Sequence, residues 1–294
     1  QEKAYAYEET CFLLLFGYLP KKEELALFCD VLRRHYELPH QFLENIMLQM
    51  PSKNLMNQLQ QAVLSLYDFD PAPDDTSAHH TLMQGISIMA KLPSLLCYGY
   101  HAKAHHFDKE SLHIHYPQTQ FSMAENILHM LRSDSAFSVQ EAKMLDLMLV
   151  LHADHGGGNN STFTNVVIAS TGTDIYSTVA GSIGSLKGPR HGGANIRVCQ
   201  MMKALRDRIG FSEDKETIRS LQKEILQKRF YDKSGLIYGM GHAIYTLSDP
   251  RAELIKEHLY ALAKEKHQEE RFAFYRRFEE CAKQVIWEEK GIRV

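Results

Sequence analysis

The sequence lacks long apolar runs and any excess of charge of one sign. Its 33 lysines and arginines nearly balance 36 aspartates and glutamates, which leaves a formal charge of −3. A chain this close to neutral has little electrostatic attraction for nucleic acid or anionic lipid, so neither is an expected partner. The longest apolar stretches, residues 11–16 and 144–151, fall short of the roughly 20 residues that span a membrane.

Cysteine motifs are missing as well. The five cysteines are widely spaced and include no C-x-x-C pair, so the sequence offers neither a zinc-binding nor a dithiol redox motif. Dispersed cysteines are typical of reduced proteins, and we expect a cytoplasmic location. The chain starts with Gln1 instead of methionine and reaches Val294 directly after a helical pattern. We therefore expect both ends to be trimmed, with room for a lost targeting segment.

Alternation of apolar and polar residues, the pattern of a half-buried strand, is nearly absent. Helical spacing is common instead, and Ser122 and Ser138 each stand three residues before a glutamate, as in a capping box that starts a helix. Pro93 and Pro117 are expected to interrupt the helices around them. These patterns predict an all-α protein.

Two domains are expected, because 294 residues exceed what one hydrophobic core usually serves. The composition changes after Asn195, where residues 197–233 become strongly charged. We place a large helical domain at residues 1–193 and a small domain at residues 194–294.

Three segments join glycines to a histidine, and a functional site is expected there because glycine lets the backbone approach a ligand closely. They cover residues 152–162, 188–195 and 239–245. The helix that follows the first segment is expected to be capped by Ser161 or Thr162.

The first segment permits three interpretations. His152 and His155 form an H-x-x-H pair that could bind a metal together with Asp154, although the H-E-x-x-H pattern is absent. His152 could equally be a core histidine, with the glycines ending the helix. The third interpretation is anion recognition, in which helix amides, His155 and Asn159 donate hydrogen bonds to a carboxylate.

The second segment holds His191 between a proline turn and two glycines. An imidazole at the N-terminus of a helix is expected to stay neutral, since the helix dipole disfavours a second proton. A neutral imidazole can donate a hydrogen bond to a developing oxyanion. The alternative is that the glycines form an ordinary turn in which His191 has no function.

The third segment contains Gly239, Gly241 and His242. It is not a dinucleotide fingerprint, because Ile244 stands in the place of the third glycine and no strand pattern precedes it.

A helix start follows the third segment, where Asp249 is the expected N-cap and Pro250 the first helical residue. Arg251 then lies in the first turn, where the helix dipole disfavours a cation unless an anion binds there. A substrate carboxylate would explain this placement. The alternative is an exposed arginine that pairs with Glu253 or Glu257.

The remaining histidine pairs carry no recognisable ligand pattern. We interpret residues 79–80, 105–106 and 113/115 as solvated loop histidines and expect no metal site there. The sequence also contains no Walker loop, G-x-S-x-G elbow or aromatic RNA-binding motif.

Together the three segments resemble the citrate synthase family. The matching motifs are, in chain order, Leu151-His-Ala-Asp-His155, Gly188-Pro-Arg-His191-Gly-Gly-Ala-Asn195, Gly239-Met-Gly-His242 and Asp249-Pro-Arg251. Residues 7–10, 13–20 and 122–126 are also similar to that family, so the resemblance covers nearly the whole chain. One motif alone is weak evidence, but their joint order is highly specific.

The resemblance implies an all-α fold, a large and a small domain that close over the substrates, and a homodimer. It implies a reaction of the tricarboxylic acid cycle, in which acetyl-CoA condenses with oxaloacetate and the thioester is hydrolysed to citrate and CoA. Acetyl-CoA is a substrate in this reaction, and neither a cofactor nor a metal is expected. Domain closure would exclude water until condensation has occurred.

The family's motifs also imply roles for individual residues. His191 would hydrogen-bond the thioester oxygen and His242 would polarise the oxaloacetate carbonyl. His155 and Arg251 would hold oxaloacetate, with Asn159 close by. The CoA moiety would meet the backbone of Ile237, Tyr238, Gly239, Met240 and Gly241.

The chain departs from the family pattern in ways that affect its activity. The family's general base, an aspartate in an Asp-Phe-Tyr-Ser-Gly-like segment, would lie beyond Val294 together with the C-terminal arginines of the oxaloacetate site. The 294-residue chain alone is therefore expected to be inactive, with a longer parent as the enzyme. Arg190, Thr246 and Leu247 also differ from the usual residues, which affects the expected CoA contacts. The alternatives are a 2-methylcitrate synthase, which uses propionyl-CoA, and a catalytically incomplete CoA-binding homologue.

Overall fold

A computed structural model describes residues 6–154, 156–241 and 249–294. The regular structure in these ranges is helical, with no strand, so the all-α prediction is confirmed. Contacts divide the chain into unit 1, Gln1–Gly188, and unit 2, Pro189–Val294. The boundary expected from the sequence lay after residue 193. No helix in the described part of the chain is both long and apolar enough to cross a membrane.

Unit 1 begins with α1 and α2 and ends with α8. Its α-helices are α1 (Ala6–Phe16), α2 (Lys22–Arg34), α3 (Leu55–Ser65), α4 (Ala78–Lys103), α5 (Met123–Leu131), α6 (Val139–Leu151), α7 (Asn160–Ala169) and α8 (Ile175–Leu186). Short π-helical turns occupy Leu43–Leu48 and Ala104–Asp108, and a 3₁₀ turn occupies Leu66–Phe69.

Side-chain caps set the starts of α5 and α6, as the sequence predicts. The amide of Ser122 donates to Glu125 at 2.8 Å, and the amide of Ser138 donates to Glu141 at 2.8 Å. In both cases the serine hydroxyl accepts the amide three residues on, which completes the capping box.

Pro93 does not interrupt its helix, so that prediction is wrong. Proline removes one backbone hydrogen bond, yet α4 runs through it for 26 residues. The apolar burial of α4 offsets this loss, since Ile88, Leu95 and Cys97 are only 1–3% exposed. The histidine assignments also need correction, because His79 and His80 lie in α4 and His105 and His106 lie in the π-helical turn after it, not in loops.

Two apolar clusters form the core of unit 1, and α4 contributes to both. One cluster lies between α3, α4 and α8 and includes Leu59, Val63 and Leu95. The other lies between α1, α2 and α4 and includes Phe12 and Leu32. α7 packs mainly against α8 and has no buried residue.

Unit 2 has its own apolar core. Its helices are α9 (Ala194–Ile209), α10 (Lys215–Leu226), α11 (Pro250–Glu265) and α12 (Glu269–Lys290). Met201 and Leu205 of α9, Ile218 of α10 and Phe274 and Ala282 of α12 are fully buried together. These helices support the cavity described below.

Candidate active site

The turn between α6 and α7 carries the first histidine segment. His152 is exposed, and its Nδ1 atom lies 2.6 Å from the Met148 carbonyl oxygen, so the ring binds the end of α6. The interpretation of His152 as a core histidine is therefore wrong. Asp154 accepts the Gly156 amide at 2.8 Å and closes the next turn. Among the described residues, no three metal-ligating side chains are arranged to hold an ion.

Asn159 begins α7. Its side-chain oxygen accepts the amide of Ser161 at 2.8 Å and that of Thr162 at 3.3 Å, which makes Asn159 the N-cap. The prediction that Ser161 or Thr162 caps this helix is wrong, because an asparagine in extended backbone stands just ahead of them and reaches both amides. Since its oxygen is bound to the main chain, Asn159 would meet a ligand through its amide nitrogen.

The turn at the start of unit 2 carries His191. Residues 189–192 form this turn and Gly193 is the N-cap of α9, so a partly buried His191 lies just ahead of the helix amides. Gly193 has no room for a side chain, because a Cβ atom there would collide with the carbonyl oxygen of Pro189. An imidazole held beside free helix amides can take part in stabilising negative charge.

A cavity of about 590 Å³ lies in unit 2 between α9, α11, α12 and residues 238–241. This volume is in the range of small-molecule binding sites. Met202, Tyr275 and Phe278 supply apolar lining. Gly239 and Gly241 both have a φ of +83°, a left-handed conformation that favours glycine. A Cβ atom on Gly239 would also lie 3.1 Å from the Val198 side chain.

The predicted CoA-binding segment divides between this cavity and the core. Tyr238, Gly239, Met240 and Gly241 line the cavity, whereas Ile237 is 5% exposed and belongs to the apolar core of unit 2. The Tyr238 hydroxyl donates to Asp232 at 2.6 Å, which fixes the start of the segment.

The cavity lining carries more positive than negative charge. The charged residues that line it are Arg206, Asp249, Lys256, Arg271, Glu279 and Lys283. Lys256 and Lys283 bind Glu279 at 2.7 Å and 2.9 Å. Burial alone would raise the pKa of Glu279, but these two bonds outweigh it and lower that pKa.

Arg206 and Arg271 supply the remaining positive charge. Neither has a carboxylate partner among the described residues. The Arg271 Nε atom donates to the Tyr275 hydroxyl at 3.1 Å, and the guanidinium lies 5.5 Å from the centre of that ring. The cavity therefore suits an anionic ligand. Sequence reasoning missed both arginines, since no motif surrounds either one and the only signal was the charged stretch that contains Arg206.

Arg251 is bound to the carboxylate of Asp249. Its Nε atom donates to Asp249 Oδ1 at 3.0 Å and its Nη2 atom to Oδ2 at 2.7 Å. Oδ1 also accepts the Arg251 amide at 2.9 Å, so Asp249 caps α11 and Pro250 follows as the first helical residue, as predicted. Asp249 lines the cavity, whereas Arg251 is not among the lining residues.

The predicted site residues thus fall in two groups. Unit 2 brings residues 238–241 to one cavity with Asp249, the partner of Arg251, and it also contains His191. Asn159 lies in unit 1. His155 and His242 lie outside the described residues.

Comparisons with known proteins all indicate the same family. The family model for "Citrate synthase, C-terminal domain" matches residues 2–293. The chain is 33% identical over 254 residues to the citrate synthase of Haloferax volcanii, which covers 85% of this chain and 62% of that protein. It is 29% identical over 290 residues to the 2-methylcitrate synthase of Shewanella oneidensis, which covers 97% of this chain and 69% of that protein.

A solved structure shows the same fold. The citrate synthase from Pyrobaculum aerophilum matches with a TM-score of 0.73 and 27% identity, over 97% of this chain and 67% of that one. Against the Haloferax volcanii protein, however, this chain spans 62% of the length, which is less than two thirds.

Proposed function

Because the chain belongs to the citrate synthase family, we propose that its protein condenses acetyl-CoA with oxaloacetate and hydrolyses the thioester to citrate and CoA. The observation that carries this proposal is the match of the family model over residues 2–293. Such an enzyme is a transferase and would serve the tricarboxylic acid cycle.

The CoA moiety binds in the cavity of unit 2. Its phosphates are anionic, and Arg206 and Arg271 offer positive charge without a carboxylate partner among the described residues. Gly239 and Gly241 have no side chain between their backbone and the cavity, so CoA can approach the main chain of residues 238–241. The apolar lining formed by Met202 and Phe278 suits the less polar parts of the same ligand.

Oxaloacetate binds through Arg251, with His155 and Asn159 as further contacts. A guanidinium matches a carboxylate in charge and geometry. Asp249 fixes Arg251 through two side-chain bonds, so the guanidinium loses little freedom when substrate arrives. Asn159 contributes its amide nitrogen, because its oxygen is bound to helix amides.

His191 and His242 carry the catalytic roles that the family motifs imply. His191 donates a hydrogen bond to the thioester oxygen as the enolate develops, which is where donors lower the barrier most. The position of His191 in the turn ahead of α9 supports this role. His242 polarises the ketone of oxaloacetate.

A second candidate is the synthesis of 2-methylcitrate from propionyl-CoA. The similarity to the 2-methylcitrate synthase of Shewanella oneidensis over 97% of this chain supports it. The two acyl groups differ by one methylene, which is worth about 1–3 kcal/mol of discrimination.

The protein is a cytoplasmic homodimer. α7 supports dimerisation because it has no buried residue and exposes Phe163 and Val166 at 63% and 61%. The five cysteines are unpaired thiols, which fits a reducing compartment.

Thiol release tests the reaction. The gene product, meaning the protein that the complete gene encodes, is assayed with oxaloacetate and either acetyl-CoA or propionyl-CoA. We expect CoA release with acetyl-CoA at the higher kcat/KM. A higher value with propionyl-CoA would establish the second candidate. No release with either substrate would contradict both.

Calorimetric titration with CoA tests the cavity in the 294-residue chain. We expect Arg206→Gln and Arg271→Gln each to weaken CoA binding by about tenfold, since each removes a charge-assisted contact. Arg276→Gln is the matched control, because this exposed arginine of α12 does not line the cavity. Equal affinity in all three variants would place the CoA phosphates elsewhere.

A further inference from the structure

Buried ionisable side chains from other helices hold both ends of α5. At its N-terminus, Glu8 of α1 accepts the Met123 amide at 2.7 Å. At its C-terminus, the Nε2 atom of His101 of α4 lies 2.9 Å from the Met130 carbonyl oxygen. Glu8 is 1% exposed and His101 is 4% exposed. Each group faces the helix end of opposite partial charge.

The surroundings of Glu8 disfavour its negative charge. Its Oε1 atom binds the Met123 amide, but its Oε2 atom is buried without a hydrogen-bond partner among the described residues. The titratable groups that face it are Tyr7 and Cys11 on α1, Cys29 on α2, Glu125 on α5 and Asp146 on α6. Among the described residues, Arg33 is a cation on this side and acts on Cys29.

Burial is the main reason that the pKa of Glu8 is raised to about 7. The bond from the Met123 amide acts in the opposite direction, and the like charges of Asp146 and Glu125 add to the rise. A proton on Glu8 therefore removes a charge that the docked α5 would otherwise keep away from water.

The surroundings of His101 disfavour its positive charge. A carbonyl oxygen only accepts, so Nε2 of His101 carries its hydrogen even in the neutral ring. A second proton on Nδ1 adds a charge to a row of imidazoles. Along this row the ring centres are 6.1 Å apart for His101 and His113, 6.5 Å for His113 and His115, and 5.8 Å for His115 and His129.

The other titratable groups around His101 do not compensate for that charge. Tyr100 lies with its ring centre 5.5 Å away, Tyr98 lies one turn back on α4 beside Glu37, and Lys103 is paired with Asp108. Burial, with a smaller contribution from His113 and His115, lowers the pKa of His101, although its bond to the end of α5 favours the charged form.

We propose that Glu8 and His101 form a compensating pair that keeps α5 docked as the pH changes through the mildly acidic and neutral range. A proton taken up by Glu8 strengthens the attachment of α5, and a proton taken up by His101 weakens it. Both groups gain protons as the pH falls, so the two effects oppose each other at the two ends of one short helix.

The direction of each effect follows from the shift of its pKa. Glu8 has a raised pKa, so its contribution to docking is full below about 4.5, the ordinary value, and is lost as the pH rises through about 7. His101 has a lowered pKa, so its contribution is full above 6.5, the ordinary value, and is lost as the pH falls below it. The pH ranges over which the two contributions change therefore overlap between about 4.5 and 6.5.

Hydrogen exchange of the α5 amides in the 294-residue chain tests the pair. Opening of α5 is measured between about pH 5.5 and about pH 7.5, with correction for the intrinsic pH dependence of exchange. In Glu8→Gln, His101 is the member of the pair that still titrates, so we expect opening to increase several-fold as the pH falls. In His101→Gln, Glu8 is the member that still titrates, so we expect opening to increase by about tenfold as the pH rises.

The unaltered chain should show a smaller change than either variant, and the double variant should show neither of the two slopes. Glu44→Gln and His105→Asn are the controls, because both residues are exposed and His105 also binds a main-chain carbonyl. Slopes of the same sign in the two single variants would overturn the proposal. If a variant does not fold, carbon-13 NMR of the Glu8 carboxyl in the unaltered chain decides, since ionisation in the ordinary glutamate range would also overturn it.

Discussion

Single charged side chains in unit 1 differ in whether a nearby group of opposite charge compensates them. Lys91 of α4 donates to the Ser87 hydroxyl at 2.7 Å, and no carboxylate among the described residues pairs with it. Burial lowers the pKa of Lys91 to about 8. A buried amine of this kind costs stability whenever it is charged.

Replacing Lys91 with methionine should stabilise the protein at neutral pH. The contribution of a group with a lowered pKa is full above its ordinary value of 10.5 and is lost as the pH falls towards about 8, so at pH 7 the charge is a net cost. We expect Lys91→Met to raise the free energy of unfolding at pH 7 by about 2 kcal/mol. Urea denaturation at about pH 7 and about pH 9.5 measures this, with the exposed Lys22→Met as control. An advantage of equal size at both pH values would assign the gain to packing alone.

Arg251 tests the substrate site at the same scale. Its guanidinium is held by Asp249, and in the proposed function it binds an oxaloacetate carboxylate. Arg251→Leu in the gene product should raise the apparent KM for oxaloacetate by about tenfold or more and that for acyl-CoA much less, because a charge-assisted contact is lost. Steady-state kinetics with each substrate varied in turn gives the ratio. Equal changes in both KM values would contradict the role.

At the scale of single elements, the start of α7 combines a structural and a binding role in one residue. The Asn159 oxygen caps the helix, and its amide nitrogen is the group proposed to meet substrate. The two roles can be separated, because aspartate keeps the cap and lacks the donor, whereas alanine lacks both.

Asn159→Asp should leave the free energy of unfolding unchanged or slightly higher, since a negative charge suits the start of a helix. Asn159→Ala should lower it by about 1 kcal/mol. Both variants should raise the KM for oxaloacetate in the gene product. Thermal unfolding measures the effect of each variant on stability, and steady-state kinetics measures its effect on the KM for oxaloacetate. An unchanged KM in Asn159→Asp would show that Asn159 is not part of the substrate site.

Helix starts were the elements that the sequence predicted best. Ser122, Ser138 and Asp249 cap their helices as expected, because a cap is a local hydrogen bond between residues two or three apart. Pro93 was misjudged because the burial of α4 on several sides depends on distant helices.

For the candidate site too, the sequence predicted the parts that depend on local contacts and missed those that depend on contacts between distant residues. Residues 238–241 were found through their glycines and a family motif. Arg206 and Arg271 come together only when α9 and α12 fold against each other, and no spacing in the sequence encodes that meeting. The histidine row likewise joins α4, the coil before α5 and α5 itself, so no spacing in the sequence predicts it, although His113 and His115 do lie in a loop as predicted.

At the scale of the whole molecule, each unit has its own apolar core, but α7 remains largely outside the core of unit 1. Gly181 of α8 lets α7 pack closely, since a Cβ atom there would collide with Ile168. The opposite face of α7 exposes Phe163, Val166 and Val167 at 63%, 61% and 48%. A helix with apolar residues turned to solvent is expected to be covered by another surface.

In the proposed homodimer α7 forms the subunit contact, so dimerisation should be lost when this face becomes charged. An isologous contact places each substitution in the interface twice, so Phe163→Asp introduces two buried charges per dimer. We expect the gene product to change from dimer to monomer in size-exclusion chromatography with light scattering, while helical circular dichroism is retained because Phe163 packs into neither core of unit 1. Phe107→Asp, on a partly buried π-helical turn, and the exposed Leu27→Asp on α2 are apolar-to-acid controls away from α7. A Phe163→Asp protein that remains dimeric would place the subunit contact on another face. Loss of helical circular dichroism in Phe163→Asp would instead show that Phe163 contributes to the packing of α7 against α8.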